Sequence, residues 1–151
     1  IMVGEGELRA SMEHFIEKHQ LKQVILTGFV NQSKIAEYYA IGDLFVMCSS
    51  LGENWGLSVN EAMNFNTPLL LSNLTGCSED LVIQGVNGYT FNTTNVCELK
   101  EKMEEILIKN SLTLHITSEE IVDNYSFLSI TNNLKKNIVG APYIVNLTIC
   151  I

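Results

Sequence analysis

Three short runs in this chain are apolar at nearly every position: Val24-Ile25-Leu26-Thr27-Gly28-Phe29, Leu44-Phe45-Val46-Met47-Cys48 and Pro68-Leu69-Leu70-Leu71-Ser72. A strand with one face in water alternates polar and apolar residues, whereas a strand that is apolar throughout must be covered on both faces. Segments of helical spacing lie between the runs, and that alternation specifies a parallel sheet with helices on either side. The expected fold is α/β, a Rossmann-like, doubly wound layer followed by carboxyl-terminal helices.

Local signals fill in the elements. Ile1-Met2-Val3-Gly4 reads as the end of a truncated strand, released by glycines into a helix from Glu7 to His19. Ser33 is expected to cap a helix running through Ala40. Leu57 to Met63 has helical composition, Ser78-Glu79-Asp80 opens a short helix ending at Gly85, and Asn87 to Phe91 reads as a turn and a strand. Amphipathic helices are expected from Val96 to Lys109 and from Ser118 to about Asn137. Residues 1–137 thus read as one domain, incomplete at its start. For the apolar tail, residues 138–151, packing on the domain, an added strand and an artefact of the reading frame's end all stay open.

Bulk properties narrow the function. The chain has 151 residues, 46% of them hydrophobic, enough for one globular core. Its net charge is −8 and Arg9 is its single arginine, which excludes the clustered cations that a nucleic-acid surface needs. Cys48, Cys77, Cys97 and Cys150 form no C-x-x-C unit, so reduced thiols are expected rather than a zinc site or redox pair. Neither a cleavable leader nor an 18-residue apolar run is present, so the expectation is a cytoplasmic protein without a transmembrane segment.

In such sheets ligands lie beyond the carboxyl ends of the strands. The Gly4/Gly6 loop, the Gly28-Phe29-Val30 loop and the Ser49 to Gly56 loop all follow strands and are expected to converge on one edge. Gly4-Glu5-Gly6 resembles the start of a dinucleotide fingerprint, but the third glycine is missing and Arg9 stands in its place. The segment Gly52-Glu53-Asn54-Trp55-Gly56-Leu57-Ser58-Val59-Asn60-Glu61-Ala62-Met63 is more informative, because it sets two glutamates around a glycine-bracketed turn that opens a helix. The first N–H groups of a helix lack intrahelical partners and suit a phosphate. An ionised carboxylate only accepts hydrogen bonds, so Glu61, about one turn inside, suits the paired hydroxyls of a ribose or hexose. Glu53 could serve a second ring. Together they describe a site for a sugar diphosphate nucleotide, set against two bland or rival readings. One is a pair of solvated carboxylates. The other is a glycosidase pair, whose carboxyls lie roughly 5 to 9.5 Å apart, whereas eight helical residues span about 12 Å.

With these residues in view, the chain resembles the carboxyl-terminal, donor-binding domain of family-four retaining GT-B glycosyltransferases. The matching blocks run in order through Val3 to Arg9, Leu26 to Val30, Tyr38 to Val46, Glu53 to Met63, Thr67 to Ser72, Gly76 to Val82 and Gly85 to Gly88. The resemblance implies a hexosyl or other glycosyl transferase whose donor is a nucleotide-diphosphate sugar, with no metal or cofactor. It implies that Glu53, the first residue of an E-x7-E motif, contacts the donor sugar as the catalytic carboxylate. Glu61 would hold the ribose hydroxyls, and the backbone amides of Asn54, Trp55, Gly56 and Leu57 would meet sugar and diphosphate. Phe29 and Val30 would lie against the base, unless they are ordinary edge packing. Trp55 either flanks the sugar or anchors its loop to the core.

The chain also departs from the family pattern. Asn66 stands where glycine is common, a substitution compatible with a left-handed helix end, and Asp80 replaces a glutamate. The family's upstream arginine and lysine, and the amino-terminal domain that binds the acceptor, are not in this chain. Charge on the leaving diphosphate would then go unstabilised, so the isolated fragment is expected to bind donor weakly and to be inactive or nearly so. Peripheral membrane contact stays open for the parent enzyme. The alternatives are a nucleotide-sugar epimerase of GT-B type and a non-catalytic binding or assembly module that pairs through an open sheet edge.

Overall fold

A computed structural model of the chain describes residues 1–50, 53–109, 112, 118–126, 128, 129 and 131–133. The chain divides into two compact units, Ile1–Ile41 and Gly42–Ile151. Both pair their strands in parallel, as the uniformly apolar runs require, and the pairing makes one sheet in each unit.

In the first unit, β1 (Met2–Val3) pairs with β2 (Leu26–Gly28), with Met2 opposite Leu26 and Val3 opposite Gly28. Helix α1 spans Arg9–Lys18, shorter at both ends than the expected Glu7 to His19, and α2 spans Gln32–Ala40. The cap of α2 is Asn31, not Ser33. Asn31 is extended, and its Oδ1 accepts from the Ser33 N–H at 3.0 Å and from Ser33 Oγ at 2.9 Å. Ser33 therefore sits inside the first turn, donating to the cap instead of being it.

The second unit carries β3 (Phe45–Met47), β4 (Leu69–Ser72) and β5 (Gly88–Phe91) in the order β3-β4-β5. All four residues of β4 are buried, and alternation along the strand sends them to two cores. Leu69 and Leu71 join Val59 and Met63 of α3 (Leu57–Met63), Leu81 of α4 (Ser78–Leu81), and Ile121 and Val122 of α6 (Ser118–Val122). Leu70 points the other way, to Phe91 and to Ile106 of α5 (Val96–Leu107). Helices thus cover both faces of the strand. At β5 the Gln84 side chain donates to Thr90 Oγ1 at 2.7 Å and accepts from the Thr90 N–H at 3.2 Å.

Helix α5 ends at Leu107, two residues before the expected Lys109, and two other helices depart further from expectation. Helix α4 stops at Leu81 instead of reaching Gly85, because the fully buried Asn87 side chain holds the chain in another course. Its Nδ2 donates to the Leu81 carbonyl and its Oδ1 accepts from the Ile83 N–H, each at 2.8 Å. The helix expected from Ser118 to about Asn137 is α6, then a 3₁₀ turn over Asp123–Tyr125, then an extended Ser126 that breaks it. Helical backbone returns at 128, 129 and 131–133. The tail at 138–151 lies outside the described residues. Asn66 adopts the left-handed conformation, φ +54°, that its position requires, and its Oδ1 accepts from the Ser118 N–H at 3.1 Å.

Candidate functional site

The loop between β3 and α3 carries the sequence-predicted residues, and neighbouring segments hold it by its backbone. Its first glycine, Gly52, lies outside the described residues. Just upstream, the Ser49 carbonyl accepts from Ser72 Oγ at 2.5 Å and from Thr93 Oγ1 at 3.3 Å, tying the loop's start to β4 and to the turn after β5. Gly56 is the N-cap of α3 with φ +98°. A Cβ there would be strained by that φ and would lie 3.3 Å from both Thr75 Cγ2 and Val59 Cγ2, which would have to give way by a few tenths of an ångström.

The segment Thr75 to Cys77 lies directly against this loop. A Cβ on Gly76 would collide with the Asn54 carbonyl carbon and oxygen, and the Cys77 N–H donates to the Trp55 carbonyl at 2.9 Å. The Trp55 side chain is tied on two sides. Its Nε1 donates to Asn60 Oδ1 at 3.0 Å, and its ring lies against Tyr125 with centroids 5.3 Å apart. The Trp55 ring packs against the core that holds Leu69 and Leu71 and so anchors its loop.

The candidate side chains differ in accessibility. Glu53 and Glu61 are half-buried, Asn54 is exposed, and Leu57 is 73% exposed at the first position of α3. Val59, Ala62 and Met63 point into the core, which fixes the rotation of the helix and hence where Glu61 projects. Cys77 is fully buried, and burial chiefly pushes its thiol up to about 11, with the charges of Glu53 and Asp80 adding to the effect. Asp80 also accepts from the Tyr125 hydroxyl at 3.3 Å, and the Tyr125 phenol is raised by burial first and by Asp80 second.

Phe29 and Val30 belong to the first unit, where Phe29 is 80% exposed and Val30 half-buried. The Gly4/Gly6 loop is in that unit too, while the Ser49 to Gly56 loop is in the second. In the first unit Arg9 is held between Glu5 Oε2 at 3.0 Å and Glu13 Oε1 at 2.8 Å, so its guanidinium already has two carboxylate partners. Sequence reasoning missed Asn60 and Tyr125, and it quoted Gly76 without a role. The signal for Gly76 was its identity as glycine just before α4. Nothing local marks Tyr125.

Residues 1–123 match the family model described as glycosyl transferases group 1. An uncharacterized glycosyltransferase of Methanocaldococcus jannaschii is 26% identical over 137 residues, covering 89% of this chain and 38% of that protein. The fold is similar to the apo form of the lipopolysaccharide outer core galactosyltransferase WaaB, with TM-score 0.76 and 15% identity over 91% of this chain and 39% of that one. It is also similar to Anabaena HepE in complex with UDP, with TM-score 0.68 and 23% identity over 92% of this chain and 40% of that one. The chain spans well under half the length of these proteins. At such identities the structural likeness establishes the fold, a Rossmann-like α/β domain of GT-B type.

Proposed function

The chain belongs to the glycosyl transferases group 1 family, and on that footing we propose that it is the donor-binding part of a family-four retaining glycosyltransferase. The parent enzyme moves a hexosyl or related group from a nucleotide-diphosphate sugar to an acceptor. Residues 1–137 form the donor domain, and a further domain of a longer protein holds the acceptor. The observation that carries this reading is the loop from Glu53 to Gly56. Gly56 and Gly76 let it lie against Thr75 to Cys77 at the start of α3, with one carboxylate in the loop and a second, Glu61, on the helix.

In this assignment Glu53 contacts the donor sugar as the catalytic carboxylate, and Glu61 accepts from the ribose hydroxyls. The amides of Asn54, Trp55, Gly56 and Leu57 face the sugar and diphosphate, whose charge grows as the glycosidic bond breaks. The complex of Anabaena HepE with UDP favours uracil as the base of the donor. Catalysis uses no metal. In the same reading the isolated chain binds donor but transfers little sugar. Among the described residues no helix is long and apolar enough to cross a membrane, and we place the protein in the cytoplasm.

Calorimetric titration with UDP, GDP and their sugar conjugates, with and without a chelator, tests the reading. Saturable binding that survives the chelator and is lost in Glu61→Ala supports it; no binding by a folded chain overturns it. The exposed apolar residues of β1 and its flank, Ile1, Met2 and Val3, favour as a second reading a non-catalytic assembly module. Light scattering that shows a monomer at every concentration would remove that alternative.

A further inference from the structure

We infer that Tyr125 is a positioning residue for the donor site, holding the Trp55 ring and through it the Glu53 to Gly56 loop; the inference rests on the donor-site reading above. The loop is fixed in two independent ways. Its backbone is held by the Cys77 N–H on the Trp55 carbonyl and by the close approach of Gly76 to Asn54. Its one large side chain is held between Asn60 of α3, at 3.0 Å, and the Tyr125 ring, tilted by 48° with centroids 5.3 Å apart. That separation falls in the range preferred by aromatic pairs.

Tyr125 is itself tethered, since its hydroxyl donates to Asp80 Oδ1 at 3.3 Å. Residues of α3 and of the 3₁₀ turn thus meet at one indole, and α4 holds the second of them through Asp80. Glu53 stands two residues before that indole and Gly56 one after it. If the ring were free to turn, the carboxylate and the amides of 54–57 would lose a common orientation, and ordering them would then count against ligand binding. Tyr125 lies outside the loop and touches it through Trp55.

Trp55 is the only tryptophan in the chain, so its fluorescence reports this contact directly. Tyr125→Phe keeps the ring and loses only the hydroxyl; Tyr125→Leu removes the ring. The phenylalanine variant is expected to keep the native emission maximum and to bind UDP within about twofold of the unaltered chain. The leucine variant is expected to show red-shifted, more quenchable emission and about three- to tenfold weaker UDP binding, with unchanged far-ultraviolet circular dichroism. Should Tyr125→Leu fail to fold, Asn60→Ala cuts the other tether of the indole and should weaken UDP binding in the same direction. Native UDP affinity in a folded Tyr125→Leu or Asn60→Ala chain overturns the inference alone. Failure of the unaltered, folded chain to bind UDP or GDP overturns the donor-site reading and the inference with it.

Discussion

The backbone N–H of Cys77 donates to the carbonyl of Trp55 at 2.9 Å, which lays the start of α4 on the loop that carries Glu53. The bond forms because the residue before Cys77 has no side chain. It joins two segments that follow different strands, β3 and β4, so the site's shape depends on their parallel pairing, Phe45 with Leu69 through Met47 with Leu71.

Gly76→Ala should therefore damage stability and site together. The added methyl would overlap the backbone of Asn54, which can retreat only by moving the loop. A loss of about 1–3 kcal/mol is expected, read as a lowered melting temperature and accompanied by weaker UDP binding. Gly6→Ala, whose methyl meets nothing within 4 Å, should leave both unchanged.

Leu71→Ala should be among the more costly single changes, since Leu71 is fully buried in β4 between Val59, Met63 and Leu81. Denaturant unfolding is expected to show a loss of about 2–5 kcal/mol. Leu128, which is 71% exposed, should tolerate alanine within about 0.5 kcal/mol.

Asn87→Ala removes a side chain that satisfies a backbone donor and a backbone acceptor at once. The Leu81 carbonyl and the Ile83 N–H would lose their side-chain partners, at about 1–3 kcal/mol for each group left dry. Hydrogen exchange should locate the damage, with faster exchange at Ile83 and in the turn leading to Gly88.

Alkaline pH should weaken the fold through Cys77. Burial favours the neutral thiol and pushes it from 9.0 to about 11, so its contribution is fully present below pH 9 and is lost as pH rises from 9 to 11. The loss is about 2 kcal/mol. Cys77→Ala should flatten the melting-temperature profile over that window. At pH 8 a thiol alkylator should modify the exposed Cys97 while sparing Cys77.

What could be read before the structure was the part governed by short-range pattern. Pro68 to Ser72 is apolar at successive positions because Leu70 faces one core while Leu69 and Leu71 face the other. Val59, Ala62 and Met63 recur at helical spacing because α3 buries that stripe. Asn66 was legible as a left-handed helix end. Asn31 and Ser33 are both good caps, and only the extended backbone at Asn31 decides between them. The early end of α4 depends on Asn87, which reaches back across a turn, and the anchoring of Trp55 depends on Tyr125, far along the chain. Contacts of that kind leave no periodic trace. The motif from Glu53 to Glu61 was visible, whereas the support beneath it was not.

The carboxamide of Gln84 has a consequence beyond its own turn. Strand β5 ends the order β3-β4-β5, and the last strand of a sheet is where one molecule can recruit another into aggregates. By accepting from the Thr90 N–H, Gln84 occupies a backbone donor that an incoming chain would need in order to extend the ladder. With the Gly85 N–H on the Gly88 carbonyl, it leaves an incoming chain fewer free backbone groups along this margin.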